Sequence, residues 1–125
     1  MHPLLLVFLT KKQGKNGGLG LDKIMKIAYI AWPYRDGTIN WLHDNIEDAR
    51  KVALKYWGLG YAVICPHTNS AYMDGVCSDA VWLNGYLAIL HRCDTIVMLP
   101  GYEGSTGALA ELDLAKDLHL EIIYG

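Results

Sequence analysis

From residue 26 onward, short apolar runs alternate with longer segments in which apolar residues recur every three or four positions. Residues 26–31 are a compact apolar run of strand length, closed by Pro33 and an Arg35-Asp36-Gly37 turn. Over 42–57, Leu42, Ile46, Ala49, Val52, Ala53, Tyr56 and Trp57 share one helical face, with charged residues opposite. Gly58 and Gly60 stop that helix. Residues 61–65 make a second buried strand, ended by Pro66, and the polar segment 66–77 predicts a loop of a length that is usually functional. Ser78 is a fair N-cap for a helix over 79–92. That helix is apolar around most of its circumference, which predicts burial on two sides and a subunit interface. Residues 95–99, 105–118 and 121–124 read as strand, helix and strand.

Strands alternating with helices imply βαβ units and a parallel sheet. The expected fold is a small Rossmann-like (flavodoxin-like) α/β domain, with four or five parallel strands flanked by helices. Ligands of such sheets bind beyond the carboxyl ends of the strands, near a topological switch point. That rule singles out the loops 32–40, 66–78 and 100–106.

Composition narrows the classes. A chain of 125 residues suits one domain, and 52% hydrophobic with 19% charged residues excludes a disordered chain. A net charge of -2 without a long charged block argues against a nucleic-acid polymer as partner, but leaves room for a small anionic ligand. Cys65, Cys77 and Cys93 are odd in number and lack zinc-ligand spacing, even with His67 counted. They read as structural thiols in a reducing cytoplasm. The apolar run at 3–9 is far shorter than the roughly 20 residues that cross a bilayer. The polar, Gly-rich stretch 11–18 reads as a linker. Residues 1–24 are therefore expected to be a flexible extension, and 25–125 the working domain.

The loop after the third strand, Pro100-Gly101-Tyr102-Glu103-Gly104-Ser105-Thr106-Gly107, allows close backbone approach to a ligand. Ser105 or Thr106 can cap the next helix, whose free N–H groups favour an anion. Taken alone, the glycines also describe a tight strand-to-helix turn. No dinucleotide fingerprint or P-loop is present, so no cofactor is expected. Glu111 changes the balance: its helical neighbours Gly107, Ala108, Leu114 and Ala115 are small or apolar and offer it no cation. A carboxylate on a packing face must be paired, protonated or employed. Pro33, Tyr34 and Arg35 flank the same crevice, where a guanidinium suits phosphate. His67 and Asn69 offer hydrogen bonds to a sugar or base, or to their own loop. Asp94, at the opposite end of its strand, reads as structural.

These segments together resemble the nucleoside 2-deoxyribosyltransferase superfamily. The residues that carry the resemblance are Ile30-Ala31-Trp32-Pro33-Tyr34-Arg35, Cys65-Pro66-His67-Thr68-Asn69, Arg92-Cys93-Asp94 and the stretch from Leu99 to Ala108 with Glu111. It is similar above all to small phage and bacterial proteins related to the 2'-deoxynucleoside 5'-phosphate N-hydrolases. The most specific element is Ser/Asp-x-Gly-x-x-x-Glu, here Ser105, Gly107 and Glu111. The resemblance implies that Glu111 is a nucleophile at the anomeric carbon of a 2-deoxyribosyl group. It also implies that Ser105, with Arg35, favours a 5'-phosphate. Two positions depart from the family pattern. Trp32 stands where glycine is usual, and Tyr86 replaces an aspartate that serves the departing base.

The expected function is N-glycosidic cleavage or deoxyribosyl transfer on 2'-deoxynucleosides or their 5'-monophosphates. Glu111 and Tyr86 are the catalytic candidates, and Pro33, Tyr34, Arg35, His67, Asn69, Ser105 and Gly107 the substrate-binding ones. A nucleotide-binding module that has lost the reaction is the alternative, and an assembly subunit built on helix 79–92 a third. Neither a metal nor a membrane is expected, and a homodimer or larger assembly is.

Overall fold

The computed structural model of the chain describes residues 25–33, 39–73 and 75–125, and for 39–44 the backbone alone. The expected extension 1–24 lies outside these residues. The elements are β1 (Ile27–Ala31), α1 (Ile39–Gly58), β2 (Ala62–Ile64), α2 (Pro66–Asn69), α3 (Asp79–Leu90), β3 (Thr95–Met98), α4 (Thr106–Asp117) and β4 (Glu121–Tyr124). A single 3₁₀ turn, Tyr102–Gly104, precedes α4.

All four strands are parallel, in the order β2-β1-β3-β4. This is the expected Rossmann-like α/β sheet with helices on both faces. Strand alternation separates the two layers. Tyr29 and Ala31 of β1, with Ile96 and Met98 of β3, pack against Leu90 of α3 and Ala108, Leu112 and Ala115 of α4. Ile30 and Val97 point the other way, onto Ala49, Ala53 and Tyr56 of α1. Asp94, just before β3, accepts the Ile27 N–H through Oδ2 at 2.8 Å, the structural role expected of it.

Both capping serines act as expected. Ser78 Oγ accepts the Val81 N–H at 3.3 Å, and Ser105 Oγ accepts the Ala108 N–H at 3.2 Å. Two expectations need correction. The first helix runs from 39 to 58, longer at both ends than its apolar stripe. Segment 66–77 is not all loop, because Pro66 at N1 starts the short helix α2. In the single chain Leu90 is the one fully buried residue of α3, while Val81 and Ile89 are exposed. A helix apolar all round says that some surface is covered, not that the fold covers it. Among the described residues, no helix is long and apolar enough to cross a membrane.

Candidate active site

The chain leaves β1 for β2 on one side and returns through β3 and β4 on the other, so the switch point lies between β1 and β3. A cleft of about 540 Å³ opens there. Each contributing segment follows the carboxyl end of a strand. Ile30 and Trp32 come from the end of β1, Pro66 and His67 follow β2, and Ser105 to Ala108 follow β3. Helix α3 adds Asp79, Trp82, Leu83 and Tyr86, spaced i, i+3, i+4 and i+7, which places them on one helical face.

Glu111 lines this cleft from the second turn of α4 and is 9% exposed. Its partner is the hydroxyl of Tyr29, which donates to Oε2. Tyr29 is fully buried in β1. Burial pushes the Glu111 carboxyl up to about 7, and the Tyr29 hydrogen bond works against that rise. Tyr29 itself is held well above the usual phenol range by burial and then by the Glu111 charge, so its proton stays on the phenol. Near neutral pH the cleft therefore holds a carboxylate that is readily ionised, poorly hydrated and oriented by one fixed donor. Such a group is suited to nucleophilic or acid–base work.

The N-terminus of α4 forms the neighbouring wall. Gly101 makes the turn before it with φ +93°, a conformation that L side chains rarely adopt, and a Cβ there would lie 3.6 Å from Pro33 Cγ. Ser105 is 8% exposed and caps the helix. A Cβ at Gly107 would meet nothing within 4 Å, so glycine there keeps cleft volume open rather than relieving a clash.

Tyr86 also lines the cleft, but its hydroxyl sits inside a hydrogen-bond chain. Asn69 Nδ2 donates to Tyr86 Oη at 3.0 Å, Tyr86 donates to Ser70 Oγ at 2.8 Å, and Ser70 donates to the Pro66 carbonyl at 3.1 Å. The phenol ties α2 to α3, and its ring stacks on Trp82 with centroids 6.4 Å apart.

Of the residues expected at the site, Glu111, Tyr86, His67, Ser105 and Gly107 meet at the cleft. Asn69 and Pro33 are not among the cleft-lining residues: Asn69 is exposed and holds Tyr86, and Pro33 sits beside Gly101. Tyr34 and Arg35 lie outside the described residues. Among the contributors not expected are Tyr29, which holds Glu111, and Asp79, which lines the cleft. Tyr29 left a signal, since a hydroxyl in an otherwise aliphatic buried strand needs a partner, and so did the lone carboxylate of Glu111.

Cysteine chemistry is disfavoured at this site. Cys65 is free and buried, and burial pushes its thiol up, away from the thiolate. Among the described residues, no three His, Cys, Asp or Glu side chains gather to hold a metal.

No curated protein matches the chain significantly. A family described as a domain of unknown function, DUF4406, matches residues 28–124. The matched span runs from β1 to the end of β4 and takes in the whole cleft, and the chain belongs to this family.

Proposed function

We propose that the protein cleaves the N-glycosidic bond of 2'-deoxynucleosides or their 5'-monophosphates, with Glu111 as nucleophile. The observation that carries this reading is the placement of Glu111: a buried carboxylate at the switch-point cleft, oriented by a neutral phenol and raised to about 7. The resemblance to nucleoside 2-deoxyribosyltransferases supplies the substrate class. One Glu111 oxygen attacks the anomeric carbon as the bond to the base breaks, through an oxocarbenium-like state, and the base departs with the bonding pair. Water then displaces the carboxylate and releases deoxyribose or its 5'-phosphate; a second base in place of water gives transfer.

A phosphate in this reading sits at the N-terminus of α4. The Thr106 and Gly107 N–H groups precede the first intrahelical bond, which Leu109 donates to the Ser105 carbonyl. Arg35 is the cation expected beside it, by resemblance. A second copy of the chain is proposed to cover the exposed apolar side chains of α3, Val81 and Ile89.

A second reading has a specific observation behind it. The Tyr86 proton is directed to Ser70, and no carboxylate stands at that position to serve the departing base. A nucleotide-binding module without turnover is the protein that such a loss would leave. Incubation with deoxynucleosides and their monophosphates, with chromatography of free base, separates the two: base release supports the first, binding without release the second.

A further inference from the structure

Beside the cleft, three side chains from separate elements are linked in series. The Trp32 indole Nε1–H donates to Asn45 Oδ1 at 2.7 Å, and Asn45 Nδ2 lies 3.2 Å from His67 Nε2. An indole N–H only donates, so it fixes which end of the amide faces it. The Asn45 NH₂ is then left to face His67, and Nε2 must accept. A neutral imidazole that accepts at Nε2 carries its proton on Nδ1. Trp32 therefore sets Asn45, and Asn45 sets the tautomer of His67.

Trp32 and His67 both line the cleft, with ring centroids 6.1 Å apart and planes inclined by 37°. The face of α3 adds the stacked pair Trp82 and Tyr86 to the same cleft. Two aromatic pairs, one with its edge polarity engaged internally, suit a flat heteroaromatic ring far better than a phosphate, which needs donors or cations. We infer that the Trp32–Asn45–His67 wall receives the nucleobase of the ligand, and that Asn45 is a positioning residue holding His67 in its Nδ1–H tautomer against that base. This deepens the proposed function and rests on it for the ligand class, while the N-terminus of α4 keeps the phosphate.

The test uses the full chain, free adenine and inorganic phosphate as probes, calorimetry for binding and ¹⁵N–¹H correlation of the imidazole for the tautomer. His67 is expected as the Nδ1–H form, and adenine is expected to bind with inorganic phosphate failing to compete. Asn45→Leu should mix the tautomers and weaken adenine about tenfold, the scale of losing one stacking partner's alignment. Trp32→Phe keeps a ring and removes only the donor that orients Asn45. It should mix the tautomers too, and it decides the matter if Asn45→Leu does not fold. An Nε2–H tautomer in the unmodified protein, absence of adenine binding, or unchanged tautomer and affinity in the variants would overturn the inference. Adenine binding that depends on Asn45, without base release from any deoxynucleotide, removes the proposed activity and leaves the wall. Base release with adenine binding indifferent to Asn45 removes the wall alone.

Discussion

Tyr29, in the middle of β1, donates its phenolic hydrogen to Glu111 in α4, 82 residues further along the chain. The bond joins the sheet to the helix at the point where the cleft opens, and both partners are buried. It supplies orientation and opposes, without cancelling, the effect of burial on the carboxyl. Two measurable consequences attach to this pair.

The first concerns pH and rate. With Glu111 near 7, base release should rise as pH climbs through about 7, in an acid limb seen in kcat/KM. Tyr29→Phe removes the interaction that favours the carboxylate, so the limb should move to higher pH. Losing the donor should also cost about 1–3 kcal/mol of stability, because a buried polar group is left without its partner. A pH–rate profile and a denaturant titration measure the two effects; an acid limb unmoved in Tyr29→Phe would contradict the assignment.

The second concerns pH and stability. The folded-state value of Glu111, about 7, exceeds its ordinary 4.5, so between those values the native protein holds a proton that the unfolded chain has lost. The stability from this group is fully present below about 4.5 and is lost as pH rises through about 7. Glu111→Gln keeps a neutral side chain throughout. Its stability relative to the unmodified protein should therefore increase across that window, by on the order of 3 kcal/mol. Denaturant midpoints at pH 4 and pH 8 test this, and a difference independent of pH would refute it.

Tyr86 gives a third prediction. Tyr86→Phe keeps the ring on Trp82 and removes the donor to Ser70. Stability should fall by about 1 kcal/mol and amide exchange should quicken over 66–70. Base release should stay within about tenfold, because the lost proton was already engaged by Ser70. A collapse of turnover comparable with that of Glu111→Ala would instead make the phenol the donor to the leaving base. Tyr86→Asp restores the carboxylate usual in the family that the sequence resembles, and should raise the rate.

Self-association is open to a direct check. Val81 is 56% exposed on α3, with Ile89 also accessible. Light scattering at micromolar concentration should report a dimer or larger species, and Val81→Glu should return it to monomer. A monomer at all concentrations would contradict the proposed second copy.

The sheet was legible because its strands are short apolar runs bounded by Pro and Gly, and because strand–helix alternation leaves few topologies. The switch-point rule then placed the cleft before any side chain was known. Glu111 was legible from its own helix: four small or apolar neighbours and no cation. Its partner was not, since Tyr29 lies 82 residues away and nothing local links the two. Asn69 and Tyr86 show the same limit. Each was a candidate to meet the ligand, and the bond between their polar atoms spans 17 residues with nothing local to announce it. The apolar circumference of α3 was legible, but composition records what must be covered and not by whom.

The most direct measurement is chromatographic detection of free base after incubation with a panel of 2'-deoxynucleosides and their 5'-monophosphates, run side by side with Glu111→Ala. Alanine suits a helix interior, so the variant should fold and its cleft should persist. The account predicts base release from at least one member of the panel by the unmodified protein, and none above background by the folded variant. Equal release by both proteins, or none from any substrate by the unmodified one, would contradict it.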